Sequence, residues 1–128
     1  MRNLFLTCWI TFAACHCFGK TYLHCFTISG KATDASGKAL ANEMLIFNPG
    51  EWNVDTVYTN QDGFYTHTVA YWPPCNRKAS RQFWKSSITI FVSGATTVAA
   101  IVYKPRKWMR PCRDKGKKHR TMTKNLVL

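Results

Sequence analysis

The sequence predicts an all-β domain of mostly antiparallel strands over residues 22–103. Segments rich in aromatic and β-branched residues alternate in polarity there, which is the period of a half-buried strand. Two short turns containing Asp and Gly interrupt these segments, and each has a predicted strand on either side. The chain has 128 residues, 14% of them aromatic, which suits one small domain whose core is filled by large side chains.

The first predicted strand covers residues 22–33 and ends in a turn over residues 34–37. The Asp34 side chain can accept hydrogen bonds from backbone amides two residues further on, and Gly37 can adopt a positive φ without steric cost. An apolar run over residues 44–47 is the next strand, because Asn, Pro and Gly follow it and stop it.

The second turn repeats this arrangement. Residues 54–59 form a predicted strand, a tight turn with Asp62 and Gly63 follows, and residues 64–71 return as the second strand of a hairpin.

A further hairpin is predicted from residues 85–93 and 96–103, which lie on either side of a Ser-Gly pair. Polarity alternation and the turn positions together select the side chains that we expect to be buried. These are Phe26, Ile28, Tyr65, Val69, Ile88, Ile90 and Val92.

The two turn segments resemble the carboxypeptidase regulatory-like domain, a member of the transthyretin-like β-sandwich group. The pattern of that family is a strand ending in G-x-V-x-D, a G-x-P-L turn, and later T-D-x-x-G-x-Y. The matching residues are Gly30, Asp34, Gly37, Leu40, Ala41, Thr59, Asp62 or Asn60, Gly63 and Tyr65.

Three positions depart from the pattern: Ala32 replaces Val, Ala39 replaces Pro, and Glu43 stands where the family prefers an apolar residue. The resemblance covers residues 22–103. It implies a small antiparallel β-sandwich of about seven strands with Greek-key connections. It also implies a non-catalytic appendage or binding module, since these domains share a fold and not an activity.

The N-terminus has the features of a targeting segment. Arg2 precedes an apolar stretch of 11 residues, from Leu4 to Ala14, which is shorter than the ~20 residues of a membrane-spanning helix. We interpret residues 1–19 as a signal peptide, cleaved after Cys15 or after Gly19. Phe-Ala-Ala-Cys also resembles a lipobox ending at Cys15, which would make the protein an envelope lipoprotein; a buried N-terminal helix is the remaining alternative.

The cysteine count depends on the cleavage site. Cys8 is lost with the signal peptide, and cleavage at Cys15 leaves Cys17 besides Cys25, Cys75 and Cys112. Export to the periplasm or the cell exterior permits disulfides. Cys75 precedes the last predicted hairpin and Cys112 follows it, so both emerge at the same end, and Cys75–Cys112 is the predicted bond. Buried thiols are the alternative.

The charge is concentrated in the C-terminal segment. Residues 104–124 contain ten Lys or Arg and one acid, a net charge of +9, against +2 for residues 20–103. Interspersed Pro and Gly predict that residues 104–128 form a flexible tail beyond the sandwich, although the apolar residues 125–128 could pair with a sheet edge. Candidate residues for binding an anionic surface are Lys104, Arg106, Lys107, Arg110, Arg113, Lys115, Lys117, Lys118 and Arg120.

The connection after residue 71 is long for a hairpin link, and long connections often carry function. It combines aromatic and Arg side chains, the types enriched in binding hot spots. The alternative is that its aromatic rings cap the end of the core. The possible binding residues here are Trp72, Arg77, Arg81, Phe83 and Trp84.

The sequence offers few groups for catalysis. The chain has six acidic residues, and we expect none of them to pair with a His; His67 is expected to face the core. The Cys15-His16-Cys17 cluster suggests a soft metal but matches no standard zinc spacing. We therefore expect no enzyme activity, no cofactor and no metal.

The expected function is an exported or periplasmic binding module of the cell envelope, with anionic lipid, acidic polysaccharide or a protein as its partner. Export disfavours nucleic acid as a partner. The alternatives are a secreted effector that engages a protein or a polysaccharide, and a metal carrier or enzyme that uses Cys and His residues.

Overall fold

The protein is described by a computed structural model that covers residues 22–48, 54–95, 97–112 and 120–128. Two sheets pack against one another to form a β-sandwich, so the predicted all-β class is confirmed. The signal peptide predicted over residues 1–19 lies outside the described residues. No helix within the described ranges is both long and apolar enough to cross a bilayer.

The first sheet is organised around β1 (His24–Thr33). One edge of β1 pairs antiparallel with β4 (Phe64–Tyr71) from end to end. The other edge pairs with three short strands from the end of the chain: β7 (Arg110–Pro111), β8 (Thr121–Thr123) and β9 (Leu126–Val127). Strand β7 is antiparallel to β1, whereas β8 and β9 are parallel to it.

The second sheet has the order β3-β2-β5-β6, and all neighbours are antiparallel. Its strands are β2 (Met44–Phe47), β3 (Asp55–Tyr58), β5 (Ile88–Ser93) and β6 (Val98–Tyr103). The predicted hairpin of residues 85–93 and 96–103 is confirmed as the β5–β6 pair.

Two helices of the described residues lie outside the sheets: α1 (Arg77–Lys85) and α2 (Pro105–Trp108). Helix α1 replaces the loop that was predicted after β4. It begins at Asn76, whose side chain accepts hydrogen bonds from the amides of Lys78 (2.8 Å) and Ala79 (3.2 Å), a standard N-cap arrangement.

The first turn has the predicted geometry. The Asp34 carboxylate accepts hydrogen bonds from the backbone amides of Ser36 (2.9 Å) and Lys38 (3.0 Å). Gly37 has φ +84°, a conformation that glycine adopts without the steric cost that a Cβ atom imposes.

The second turn also has the predicted conformation, since Gly63 has φ +81°. The hairpin predicted around it is wrong, because β3 pairs with β2 and β4 pairs with β1. The turn therefore carries the chain from one sheet to the other. Thr59 holds the end of β3 in place, since its buried hydroxyl donates to the Leu40 carbonyl (2.5 Å) and accepts from the Glu43 amide (2.8 Å).

The core lies between the two sheets, and the predicted core side chains are buried there except Ile88, which is half-buried because β5 begins at that residue. The side chains that fill it are Phe26, Ile28, Ala32, Leu45, Phe47, Tyr65, Val69, Ile90, Val92, Ile101, Tyr103, Met109, Met122 and Leu126.

The last three of these core residues belong to the segment that was predicted to be a separate tail. The boundary predicted after residue 103 is wrong for the described residues, because Met109, Met122 and Leu126 complete the core. The predicted pairing of residues 125–128 with a sheet edge is confirmed by β9. The segment folds because an open edge of β1 would leave backbone groups without partners.

Gly30 allows this segment to approach β1 closely. A Cβ atom at Gly30 would lie 1.8 Å from the Lys124 carbonyl oxygen. The same oxygen accepts a 2.6 Å hydrogen bond from the Tyr65 hydroxyl, and the Lys124 amide donates to the Ser29 carbonyl (2.8 Å). A side chain at position 30 would push the terminal segment away from both partners.

Gly30→Ala should therefore destabilise the protein by about 3 kcal/mol, the upper end of overpacking costs. Gly37→Ala is the matched control, because Gly37 has open space around it and only its positive φ opposes a side chain; its expected cost is about 1 kcal/mol. Urea unfolding measures both free energies. An equal or smaller loss for Gly30→Ala would contradict the close approach of Lys124.

Candidate functional site

The two helices bring the two predicted binding segments together. Helices α1 and α2 contact one another, and both lie at the end of the sandwich where β1 starts, since Trp84 contacts His24 and Trp108 contacts Phe26 through their rings. We call this region the basic end. Its exposed cations are Arg77, Lys78, Arg81, Lys85, Lys104, Arg106 and Lys107.

The cations of α1 line a shallow groove of about 730 Å³. Arg77, Arg81 and Lys85 follow one another at intervals of four residues, so they lie on one side of the helix. Lys78, Gln82 and Ser86 complete the lining, and none of the lining residues is acidic.

The opposite side of α1 packs on the sandwich. Phe83 and Trp84 are half-buried against the core, and their rings lie 6.2 Å from Tyr71 and 5.0 Å from His24, respectively. These two rings cap the end of the core, which is the alternative to a binding role that the sequence analysis gave for them. Trp72 is different, because it is 64% exposed.

The C-terminal cations fall into two groups. Lys104, Arg106, Lys107 and Arg110 lie in or beside α2, and Arg120 donates a hydrogen bond to the Lys107 carbonyl. Arg113, Lys115, Lys117 and Lys118 lie outside the described residues.

Three of the four acidic residues that the structure describes lie at the other end of the sandwich. Asp34 follows β1 directly, and Asp62 lies in the turn next to Ala32, where the Ala32 amide donates to the Gly63 carbonyl (2.8 Å). Glu43 is tied to the end of β3. Strand β1 has ten residues and so separates the two ends by about 33 Å.

A second candidate site is a cleft of about 410 Å³ beside β4. It contains His67 from the first sheet and Asp55 from the second, and His67 Nδ1 lies 3.9 Å from Asp55 Oδ2. Trp72 and Tyr71 also line the cleft. The prediction that no acid accompanies a His is wrong, because the packing of the two sheets brings these residues together from different strands.

His67 lies in the wall between this cleft and the core. Its ring is stacked on Phe47, with centroids 4.1 Å apart, so its predicted core-facing position is confirmed. Burial lowers the pKa of His67, and the charge of Asp55 partly offsets this by favouring the protonated ring. The pair can therefore hold or release a proton next to the cleft.

The cysteines do not have the predicted arrangement. Cys75 is exposed just before α1, and Cys112 lies against Cys25, with which it shares a hydrogen bond. The predicted Cys75–Cys112 bond is not formed, because β7 places Cys112 beside the start of β1. The described residues contain no group of three or more His, Cys, Asp or Glu suited to a metal ion; Cys15, His16 and Cys17 lie outside them.

Comparison with known proteins gives a likeness of shape but none of sequence. No protein-family model matches the chain, and no curated protein matches it. Among solved structures, the chain is similar to a chlorocatechol 1,2-dioxygenase from Pseudomonas putida, with 13% identity and a TM-score of 0.49. The match covers 86% of this chain and 62% of that one.

This match corrects the expectation that the chain is not an enzyme. The matched protein is itself an enzyme. At this identity and TM-score the likeness transfers no reaction, metal or residue role to this chain.

The His67–Asp55 pair predicts a specific dependence on pH. The pKa of His67 in the folded protein is lowered, below the unfolded value of about 6.5. As the pH falls, the unfolded state therefore binds more protons than the folded state. The contribution of His67 to the free energy of unfolding is complete above about pH 7 and is lost as the pH drops towards the folded pKa.

Asp55→Asn should lower the pKa of His67 further, because the carboxylate that favours its protonated form is removed. An NMR titration of the His67 ring protons measures this shift, and Asp62→Asn at the far end is the control. A native pKa above 6.5 would contradict the lowering by burial, and an equal shift in Asp62→Asn would show that Asp55 does not act on His67.

Proposed function

We propose that this protein is an exported β-sandwich module of the carboxypeptidase regulatory-like type, and that its basic end binds an acidic polysaccharide of the cell envelope. The observation that carries the proposal is the cationic groove along α1, next to the further cations of α2. Export is supported by the N-terminal sequence pattern, and the family by the geometry of the turns at Asp34, Gly37 and Gly63.

The shape of the groove favours a chain-like ligand. Three cations follow one side of a helix of nine residues, which is about 13 Å long, so successive acidic groups of a polymer could contact successive side chains. Arg suits this role, because its planar guanidinium binds a carboxylate through two hydrogen bonds. Trp72 is an exposed aromatic side chain in the connection between β4 and α1, five residues before Arg77.

A planar anionic bilayer fits this surface less well. The apolar side of α1 packs on the sandwich through Phe83 and Trp84, so it is not available for insertion among lipid chains. Attraction to anionic lipid would then depend on charge alone, which is screened beyond about 8 Å at physiological salt.

The charge asymmetry of the molecule supports binding in one orientation. An acidic polymer is attracted to the basic end, whereas at the other end Lys31 and Lys38 offset the charges of Asp34 and Asp62. Because about 33 Å separates the two ends, each acts on a charged partner almost independently of the other at physiological salt.

The double variant Arg77→Glu/Arg81→Glu should weaken binding to polygalacturonate, a polymer of carboxylated sugars. Each charged hydrogen-bond partner is worth about 1.5 kcal/mol or more, so the loss should be at least about tenfold per arginine. Titration calorimetry measures it, and salt near ~1 M should abolish binding of the unmodified protein as the screening length falls to ~3 Å.

The matched control is Lys31→Glu/Lys38→Glu, which changes the net charge equally but near Asp34. Equal losses in both variants would refute a localised site. Tighter binding to phosphatidylserine vesicles than to polygalacturonate would assign the basic end to lipid instead. Truncation after Tyr103 is unsuitable as a test, because it removes Met109, Met122 and Leu126 from the core.

A further inference from the structure

The start of β1 and the segment after α2 hold two cysteines side by side. In the register of β1 and β7, Cys25 lies opposite Arg110 and His24 lies opposite Pro111. The Cys112 amide extends this ladder by donating to the Leu23 carbonyl (2.9 Å). Backbone hydrogen bonds therefore fix the position of Cys112 next to Cys25.

The two thiols are in contact and differ in exposure. Cys25 is only 3% exposed, whereas Cys112 is partly exposed at the end of β7. Burial, followed by the hydrogen bond and the charge interaction with Cys112, raises the pKa of the Cys25 thiol to about 12. Of these two thiols, Cys112 is therefore the one that a reagent in solution reaches first.

We propose that Cys25 and Cys112 form a disulfide that fastens the C-terminal segment to β1. This inference does not depend on the binding function proposed above. The bond requires the sulfur atoms to approach from hydrogen-bonding contact to about 2.05 Å. Rotation of the cysteine side chains about χ1 can bring the sulfur atoms together while the Cys112 amide keeps its hydrogen bond to Leu23.

Thiol–disulfide exchange with a disulfide donor, such as a protein oxidant or oxidised glutathione, supplies the chemistry. The Cys112 thiolate attacks one sulfur of the donor, forms a mixed disulfide and releases one donor thiolate. The Cys25 thiolate then attacks the Cys112 sulfur and releases the second donor thiolate. The two cysteines are oxidised, the donor is reduced to two thiols, and the two protons from the cysteines pass to them.

The bond would hold α2 beside α1, since it anchors the chain four residues beyond Trp108, the last residue of α2. It closes a loop that includes most of the described chain, and long loops gain the most from a cross-link in the chain-entropy account. The predicted Cys75–Cys112 bond would instead close a short loop around β5 and β6.

Peptide mapping of the full chain after treatment with excess oxidised glutathione distinguishes these bonds. Trypsin places Cys25 in a peptide of residues 21–31, Cys112 in residues 108–113 and Cys75 in residues 39–77. We expect residues 21–31 linked to residues 108–113 without reductant, and both peptides separate with it. The melting midpoint of the oxidised protein should rise by roughly 10 °C or more.

Cys75→Ser should retain the linked peptide and the rise in melting midpoint, whereas Cys112→Ser should lose both. A link between residues 39–77 and residues 108–113 would overturn the proposal. So would a link from Cys25 or Cys112 to Cys8, Cys15 or Cys17. Glutathione attached to Cys75 while Cys25 and Cys112 remain thiols would also overturn it, because the oxidant would then be shown to act.

Discussion

The pairing of β1 on both of its edges is the constraint on which the rest of this structure depends. Strand β4 covers one edge, and the end of the chain covers the other through β7, β8 and β9. Gly30 makes this possible, because the Lys124 carbonyl occupies the space that a side chain would take. The core is complete only when Met122 and Leu126 arrive with those strands.

This arrangement also determines where the charges of the protein lie. The C-terminal segment must return to β1, so α2 lies at the start of β1 beside α1. Cations that are distant in sequence, such as Arg81 and Lys107, thereby belong to one region. The turns that close the other end of the sandwich use Asp34 and Asp62, so the requirements of turn geometry place negative charge there.

Local features of the fold could be predicted from the sequence because their causes are local. Asp34 and Gly37 lie within four residues of one another, and the chemistry of the turn needs nothing else. The partner of β3 could not be predicted in this way. Strand β3 pairs with β2 and not with β4 because of tertiary contacts such as those of Thr59. The Thr59 hydroxyl is hydrogen-bonded to Glu43 and Leu40, which lie 16 and 19 positions away in sequence.

The candidate sites likewise combine features that have a local signal in the sequence with features that depend on tertiary packing. Helix α1 had a signal in its sequence, the Asn76 cap followed by good helix formers at a four-residue repeat, but the segment was predicted as a long connection between two strands. His67 and Asp55 are twelve residues apart on strands of different sheets, and only sheet packing brings them together. Strands β7 and β8 were not predicted, because the one apolar residue of β8, Met122, lies among many cations.

Native-state hydrogen exchange tests most directly whether the end of the chain is integral to the sandwich. The amides of Lys124 and Leu128 donate to the carbonyls of Ser29 and Thr33, and the Ala32 amide donates to Gly63. We expect Lys124 and Leu128 to exchange with protection similar to that of Ala32. Exchange of Lys124 and Leu128 at the rate of an unstructured peptide, with Ala32 still protected, would contradict it.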